Sequence, residues 1–168
     1  VASGTFGYGS EYHGVIDVGE IGGVITKSVS EKPRIGNPPP RIREVPGGML
    51  NAIGLQNVGV EAFLEEKLPF FEDLATRLIV NVVGHDPDEY LRVLDRLAGQ
   101  PRIDAIELNL SCPNVEGGMR FSSDPGVLSE FVGQARERCE YPLIVKLTPN
   151  VTDVAVVARA AEDAGADA

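Results

Sequence analysis

Cysteine is scarce in this 168-residue chain: only Cys112 and Cys139, in no C-x-x-C spacing. That excludes a disulfide scaffold, a Cys-rich zinc site and a bound iron–sulfur cluster. Histidine is equally scarce, with His13 and His85 alone, and without an H-E-x-x-H run a histidine-built metal centre is not expected. No stretch of about 18 apolar residues occurs, so no membrane-spanning helix is expected. Basic side chains are few as well: 15 Lys plus Arg against 25 Asp plus Glu, a formal net charge of −10. An acidic excess of that size disfavours nucleic acid or an anionic membrane as partner. The cysteine usage suits a reducing, cytoplasmic compartment.

Glycine and proline are what the chain has in quantity, at 19 and 12 residues. Together they make up ~18% of the chain against roughly 12% on average, which points to a fold with many shaped loops. Four short β-branched runs, at 24–26, 78–83, 105–110 and 143–147, are separated by stretches of helical spacing. Asp86-Pro87, Asp124-Pro125 and Thr152-Asp153 open three helices, with Gly99 closing the first and Thr152 expected to cap the third. Strands alternating with helices of about a dozen residues imply βα units and a parallel sheet. The strands end in polar side chains: Lys27, Asn81, Asn109 and Lys146. Alternation puts Glu107, Asn109 and Ser111 on one face of one strand, and Ile144, Lys146 and Thr148 on one face of another. Polar groups delivered from successive strand ends to a common mouth predict a (β/α)8 barrel. A full barrel takes about 250 residues. The chain is therefore expected to hold roughly five of eight units, as a partial domain over 1–168 cut inside an element at both ends.

Several motifs have ordinary explanations. Gly4-Thr5-Phe6-Gly7-Tyr8-Gly9 reverses the dinucleotide spacing and is read as a shaped loop over a ligand. Pro38-Pro39-Pro40-Arg41 is read as a stiff loop rather than a polyproline ligand. The matches to glycosylation sequons at Asn109 and Asn150 are taken as chance. The run 51–57, Asn-Ala-Ile-Gly-Leu-Gln-Asn, fits either an Asn-rich turn or amides presented to a flat polar ring. Cys139, at a helix end, is read as structural. The residues leave Cys112 open between a small core hydrophobe and a thiol held over a pocket as nucleophile or proton acceptor. It follows a strand and is flanked by polar residues, and neither histidine is expected in a comparable place.

Ala-Ser-Gly-Thr-Phe-Gly at 2–7, Thr-Lys-Ser at 26–28, Asn-Pro-Pro-Pro-Arg at 37–41, Asn-Ala-Ile-Gly-Leu-Gln-Asn at 51–57 and Asn-Leu-Ser-Cys-Pro-Asn at 109–114 occur in order. Together they resemble the dihydroorotate dehydrogenase family of flavoenzymes, over the whole chain. Cysteine, where the membrane-bound class has serine, resembles the soluble class 1. The run 48–57 and Gly117-Gly118 before Phe121 and Asp124-Pro125 resemble its class 1B catalytic subunit.

The resemblance implies a (β/α)8 barrel carrying FMN that oxidises dihydroorotate to orotate in pyrimidine synthesis. It implies FMN contacts from Ser3, Lys27, Ser28, Asn81, Asn109 and Lys146. Substrate contacts would come from Lys27, Asn51, Ala52, Ile53, Gly54, Leu55, Asn109 and Asn114, with Cys112 as the base. It further implies a homo-oligomeric core and an iron–sulfur flavoprotein subunit that passes electrons to NAD. The family's later strands, with the grip on the FMN phosphate, would follow Ala168, so the segment alone is not expected to be active. Two other functions remain in view. A pyrimidine-reducing domain like that of dihydropyrimidine dehydrogenase shares Asn-x-Ser-Cys-Pro but continues with His where this chain has Asn114. A non-catalytic subunit-contact domain is the other.

Overall fold

The computed structural model describes residues 1–111 and 123–168. Four strands, β1 (Gly23–Ile25), β4 (Arg77–Val82), β5 (Ala105–Asn109) and β6 (Leu143–Lys146), form one parallel sheet in the order β1-β4-β5-β6. Between β1 and β4 lie an antiparallel hairpin, β2 (Ile42–Val45) and β3 (Gly48–Asn51), and a helical stretch opened by α1 (Gly59–Ala62). That stretch continues as a π turn over Phe63–Lys67 and a 3-10 turn over Leu68–Phe71. Helices α2 (Pro87–Leu97), α3 (Pro125–Arg138) and α4 (Val154–Asp163) follow β4, β5 and β6 in turn. The expected βα alternation is therefore present.

The helix starts follow from side-chain caps. Asp86 Oδ1 accepts from the Glu89 N–H at 2.8 Å, and Asp124 Oδ1 accepts from Gly126 and Val127 at 2.9 and 3.2 Å. Each cap satisfies backbone donors that the helix leaves unpaired. The third cap corrects the sequence expectation. Asp153, not Thr152, accepts from the Ala155 N–H at 2.9 Å; a charged acceptor at a helix N-terminus is stronger than a hydroxyl.

Register decides which side chains share a face. Partners across parallel strands point the same way, so Asn81↔Glu107↔Ile144 and Asn109↔Lys146 belong to one inner face, along with Ile25, Ile79 and Ala105. The outer face carries Val24, Leu78, Val80, Val82, Ile106, Leu108, Leu143 and Val145, all buried. It packs with Tyr90, Leu94 and Leu97 of α2, Leu128, Phe131 and Val132 of α3, and Val157 and Ala161 of α4 in one apolar cluster. Each such side chain contributes on the order of 1.5–3 kcal/mol when fully buried. The inner face is different: apolar near the strand starts, polar near their ends, with Ile25, Ile79 and Ile144 only half-buried.

Backbone pairing runs past both outer strands. The Val1 carbonyl accepts from Ile25 N–H at 3.1 Å, and the Val1 nitrogen donates to Gly23 O at 2.8 Å. On the other side, Asp167 N–H donates to Leu143 O and Val145 N–H to Ala168 O, both at 2.8 Å. Laid flat, Val1 and β6 would be roughly 19 Å apart, four strand spacings. Yet Lys146 Nζ donates to Ser3 Oγ at 3.1 Å. The sheet curls so that its two edges meet at the mouth, the curvature of a closing barrel.

Candidate active site

The strand ends bring together most of the residues picked out from the sequence. At the centre, Asn81 and Glu107 face each other from β4 and β5, and the Asn81 Nδ2 amide donates to Glu107 Oε1. Glu107 is 5% exposed and Asn81 fully buried. Lys146 Nζ lies 3.8 Å from Glu107 Oε1. One step further out, Asn109 Nδ2 donates to Ser28 Oγ at 3.4 Å, while its Oδ1 accepts from Ser111 Oγ at 2.7 Å. Asn109 is held from behind as well, because Tyr90 OH donates to its carbonyl at 2.7 Å. Ser3, Ser28, Asn81, Asn109 and Lys146 are thus one cluster with Glu107 at its middle.

Ser28 also lines an open cavity of about 730 Å3, along with Gly4, Lys27, Arg34, Asn37, Asn51, Ala52, Ile53, Gly54, Leu55, Gln56 and His85. Every substrate-facing residue expected at 27 and 51–55 is there. Cys112 and Asn114 lie outside the described residues, as do Gly117, Gly118 and Phe121. Gly4 comes from the segment read as a shaped loop over a ligand, and Gln56 from the run read as amides facing a flat ring; Arg34, Asn37 and His85 were not anticipated. The position of His85 corrects the expectation that neither histidine lies near the site. The residue follows β4, and its N–H donates to Glu89 Oε2 in the first turn of α2 at 2.6 Å.

Two loops build the cavity wall. The loop 34–41 and the loop 51–57 are joined by Arg34 N–H to Asn57 O and Asn57 N–H to Arg34 O, both 3.0 Å. Asn37 N–H donates to Ile53 O at 3.0 Å, and Asn37 Nδ2 to Ala52 O at 2.8 Å. The approach is close enough to demand glycine. A Cβ on Gly36 would fall 2.5 Å from Ile53 O, and one on Gly54 would fall 2.7 Å from Asn37 N. Both glycines hold positive φ, 76° and 74°, which other residues rarely adopt. Arg41, which follows the proline run, braces the same crossing by donating to Gln56 Oε1 at 2.5 Å. Arg34 pairs with Glu89 at 3.1 Å, fixing the wall to α2.

The glycine-rich segment 4–9 closes the other side. A single 3-10 turn, Ser10–Tyr12, follows it, so it cannot present the long helix N-terminus of a dinucleotide site. Tyr8 OH donates to Ser28 O at 3.3 Å and accepts from Val58 N–H at 3.3 Å. Burial pushes the Tyr8 phenol up to about 12, the Val58 hydrogen bond pulling down against it and Glu11 adding to the rise. The group stays a neutral strut. Cys139 is buried, and burial raises its thiol pKa, a backbone hydrogen bond with Tyr141 pulling the other way, which supports a structural role. Among the described residues no cluster of His, Cys, Asp and Glu could hold a metal ion. No described helix is long and apolar enough to cross a membrane.

The arrangement can hold a flat, polar, anionic or acidic ligand. Lys27 and Lys146 supply positive charge at the mouth of an otherwise acidic chain, and amides supply paired donors and acceptors without adding charge.

Comparison with known proteins gives a consistent family. The family model described as "Dihydroorotate dehydrogenase" matches residues 1–168. The chain is 54% identical over 168 residues to "Dihydroorotate dehydrogenase B (NAD(+)), catalytic subunit" of Geobacter sp. (strain M21), covering 99% of this chain and 55% of that protein. It is 55% identical, with the same coverage, to the protein of that name from Pelobacter propionicus. The chain from Trichlorobacter lovleyi, also of that name, is 53% identical. The chain spans about half the length of the curated relatives it matches.

Proposed function

The chain belongs to the dihydroorotate dehydrogenase family, and from that premise we propose that its protein oxidises dihydroorotate to orotate in pyrimidine biosynthesis, with FMN as the immediate electron acceptor. On this reading residues 1–168 form part of a (β/α)8 barrel domain, and the half-buried inner isoleucines are covered by further strands. The observation that carries the proposal is the junction at Ser28 between a cavity lined by Lys27 and residues 51–55 and the polar cluster at the strand ends.

The residues present fit a flavin. Asn81 Oδ1 is buried and has no hydrogen-bond partner among the described residues. Its amide cannot turn over, because that would aim Oδ1 at the Glu107 carboxylate, which only accepts. A buried acceptor held in this way suits a ring N–H. Lys27 and Lys146 suit the negative charge that a flavin pyrimidine ring gains on reduction. Ser3, Lys27, Ser28, Asn81, Asn109 and Lys146 would hold the group, which when bound supplies the acceptor for the hydride leaving the substrate.

The chain's own residues do the rest. Asn51, Ala52, Ile53, Gly54 and Leu55, with Asn109 and Asn114, bind and orient the substrate ring, and Lys27 meets it from the flavin side. Cys112 follows β5 by three residues in sequence and, in its thiolate form, accepts the proton from the carbon beside the ring carbonyl. The words "catalytic subunit" and "NAD(+)" in the relatives' names support a partner subunit that passes electrons on to NAD. On the same proposal this partner is an iron–sulfur flavoprotein, the catalytic core is homo-oligomeric and the enzyme works in the cytoplasm.

The test is anaerobic stopped-flow reduction of FMN by dihydroorotate in the full-length protein. Cys112→Ala should slow reduction by about 10²–10⁴ while substrate affinity changes within a few fold. Reduction at the wild-type rate would reject Cys112 as the base. A wild-type protein whose flavin dihydroorotate does not reduce would reject the function.

A further inference from the structure

Glu107 has no role in the scheme above, yet it occupies the middle of the site. It stands where the inner face changes character: Ile79, Ala105 and Ile144 beside it are apolar, while its β4 partner Asn81 and the outward Asn109 and Lys146 are polar. A carboxylate 5% exposed is costly in such a place unless it is paired and hydrogen-bonded. It is both: it accepts from Asn81 Nδ2 and lies 3.8 Å from the Lys146 ammonium.

We propose that Glu107 is a positioning residue that sets the flavin site through Asn81 and Lys146 without touching the flavin itself. The inference rests on the FMN reading given above. Glu107 acts in two ways. It fixes the Asn81 amide with nitrogen toward β5, so that the buried Oδ1, unpartnered among the described residues, is an acceptor of fixed direction. It also stands as countercharge to Lys146, whose ammonium is shared between Glu107 and Ser3 Oγ. Lys27 is the second cation of this mouth and makes no ion pair among the described residues. Glu107 therefore tempers the positive potential of the pair. The two actions separate chemically. Glutamine keeps an acceptor for Asn81 but removes the charge. Leucine removes both.

The experiment uses the full-length protein and two readouts that need no turnover: the FMN dissociation constant on reconstituting the apoprotein, and the flavin midpoint potential. Glu107→Gln should bind FMN within about threefold of wild type, since one acceptor replaces another. Its midpoint potential should shift positive, because Lys146 loses its countercharge. Glu107→Leu should weaken FMN binding by roughly tenfold, the worth of one hydrogen bond at the upper end. In an Asn81→Ala background it should weaken binding no further, as two residues acting as one unit require. An unchanged potential in Glu107→Gln overturns the inference, as does full additivity of Glu107→Leu with Asn81→Ala. If the leucine variant does not fold, the potential of the glutamine variant decides alone. A wild-type protein that takes up no FMN would overturn the functional reading and this inference with it. Wild-type binding and reduction with an unshifted Glu107→Gln potential would sink the inference only.

Discussion

Glu89→Ala should destabilise the protein more than any surface change of the same size, and the expected magnitude follows from its contacts. Glu89 is a buried carboxylate in the first turn of α2. It takes two contacts from the Arg34 guanidinium at 3.1 and 3.3 Å and one from the His85 N–H at 2.6 Å. The Arg34 and Glu89 side chains are 16% and 10% exposed, so water screens the pair poorly. Truncation leaves Arg34 as a buried cation without its partner, which typically costs 3–5 kcal/mol. It also orphans the His85 N–H, worth about 1–3 kcal/mol when fully buried. His85 itself is exposed, so water recovers most of that second part and the two losses do not add in full. The expected loss is therefore about 3–5 kcal/mol in unfolding free energy, measured by urea titration of the full-length protein. Arg34→Met/Glu89→Leu, which removes both charges, should be less harmful than Glu89→Ala alone. A loss below about 1 kcal/mol for Glu89→Ala, typical of an exposed ion pair, would refute the reasoning.

Two further outcomes follow from the same structure. Gly54→Ala should cost about 1–2 kcal/mol from positive φ alone, with more from the clash at Asn37 N. Dihydroorotate binding, measured by titration, should weaken because the cavity wall shifts, whereas FMN affinity should not change. Asp104 carries a pH-dependent prediction. Burial pushes its carboxyl up, but the Leu78 N–H at 2.8 Å and the Arg77 and Arg102 guanidinium groups outweigh this and hold it below its usual value. A depressed folded pKa stabilises above the unfolded value, near pH 4, and the contribution drains away as pH falls below it. Asp104→Asn should thus cost about 1–3 kcal/mol at pH 7, and its urea midpoint should converge on that of wild type toward pH 3.

The parts of the fold legible in the sequence are those with a repeating physical cause. The four strands of the parallel sheet were read from β-branched runs, and the helix starts from Asp-Pro pairs, because burial on both faces and capping act locally. Alternation likewise put Glu107 and Asn109 on one face before any register was known. The hairpin at 42–51 escaped because all its residues are exposed and so show no alternation of burial. Its only signal was Pro46-Gly47, a pair suited to a turn with positive φ at the second position. The stretch 59–71 escaped because Gly59 and Pro69 interrupt a helical pattern that the chain nonetheless keeps by changing to π and 3-10 turns. Arg34 was invisible for another reason: it owes its position to Glu89, 55 residues away in the chain.

The crossing of the loops 34–41 and 51–57 makes them a single unit of exchange. A chimaera with a relative whose junction falls in the hairpin between them would set one parent's Asn37 against the other parent's Ile53 and Gly54. Every hydrogen bond of the crossing would then join residues of different parentage. Junctions placed before Arg34 and after Asn57 would carry the wall across intact, hairpin included. Libraries that recombine specificity in this fold should treat 34–57 as one cassette.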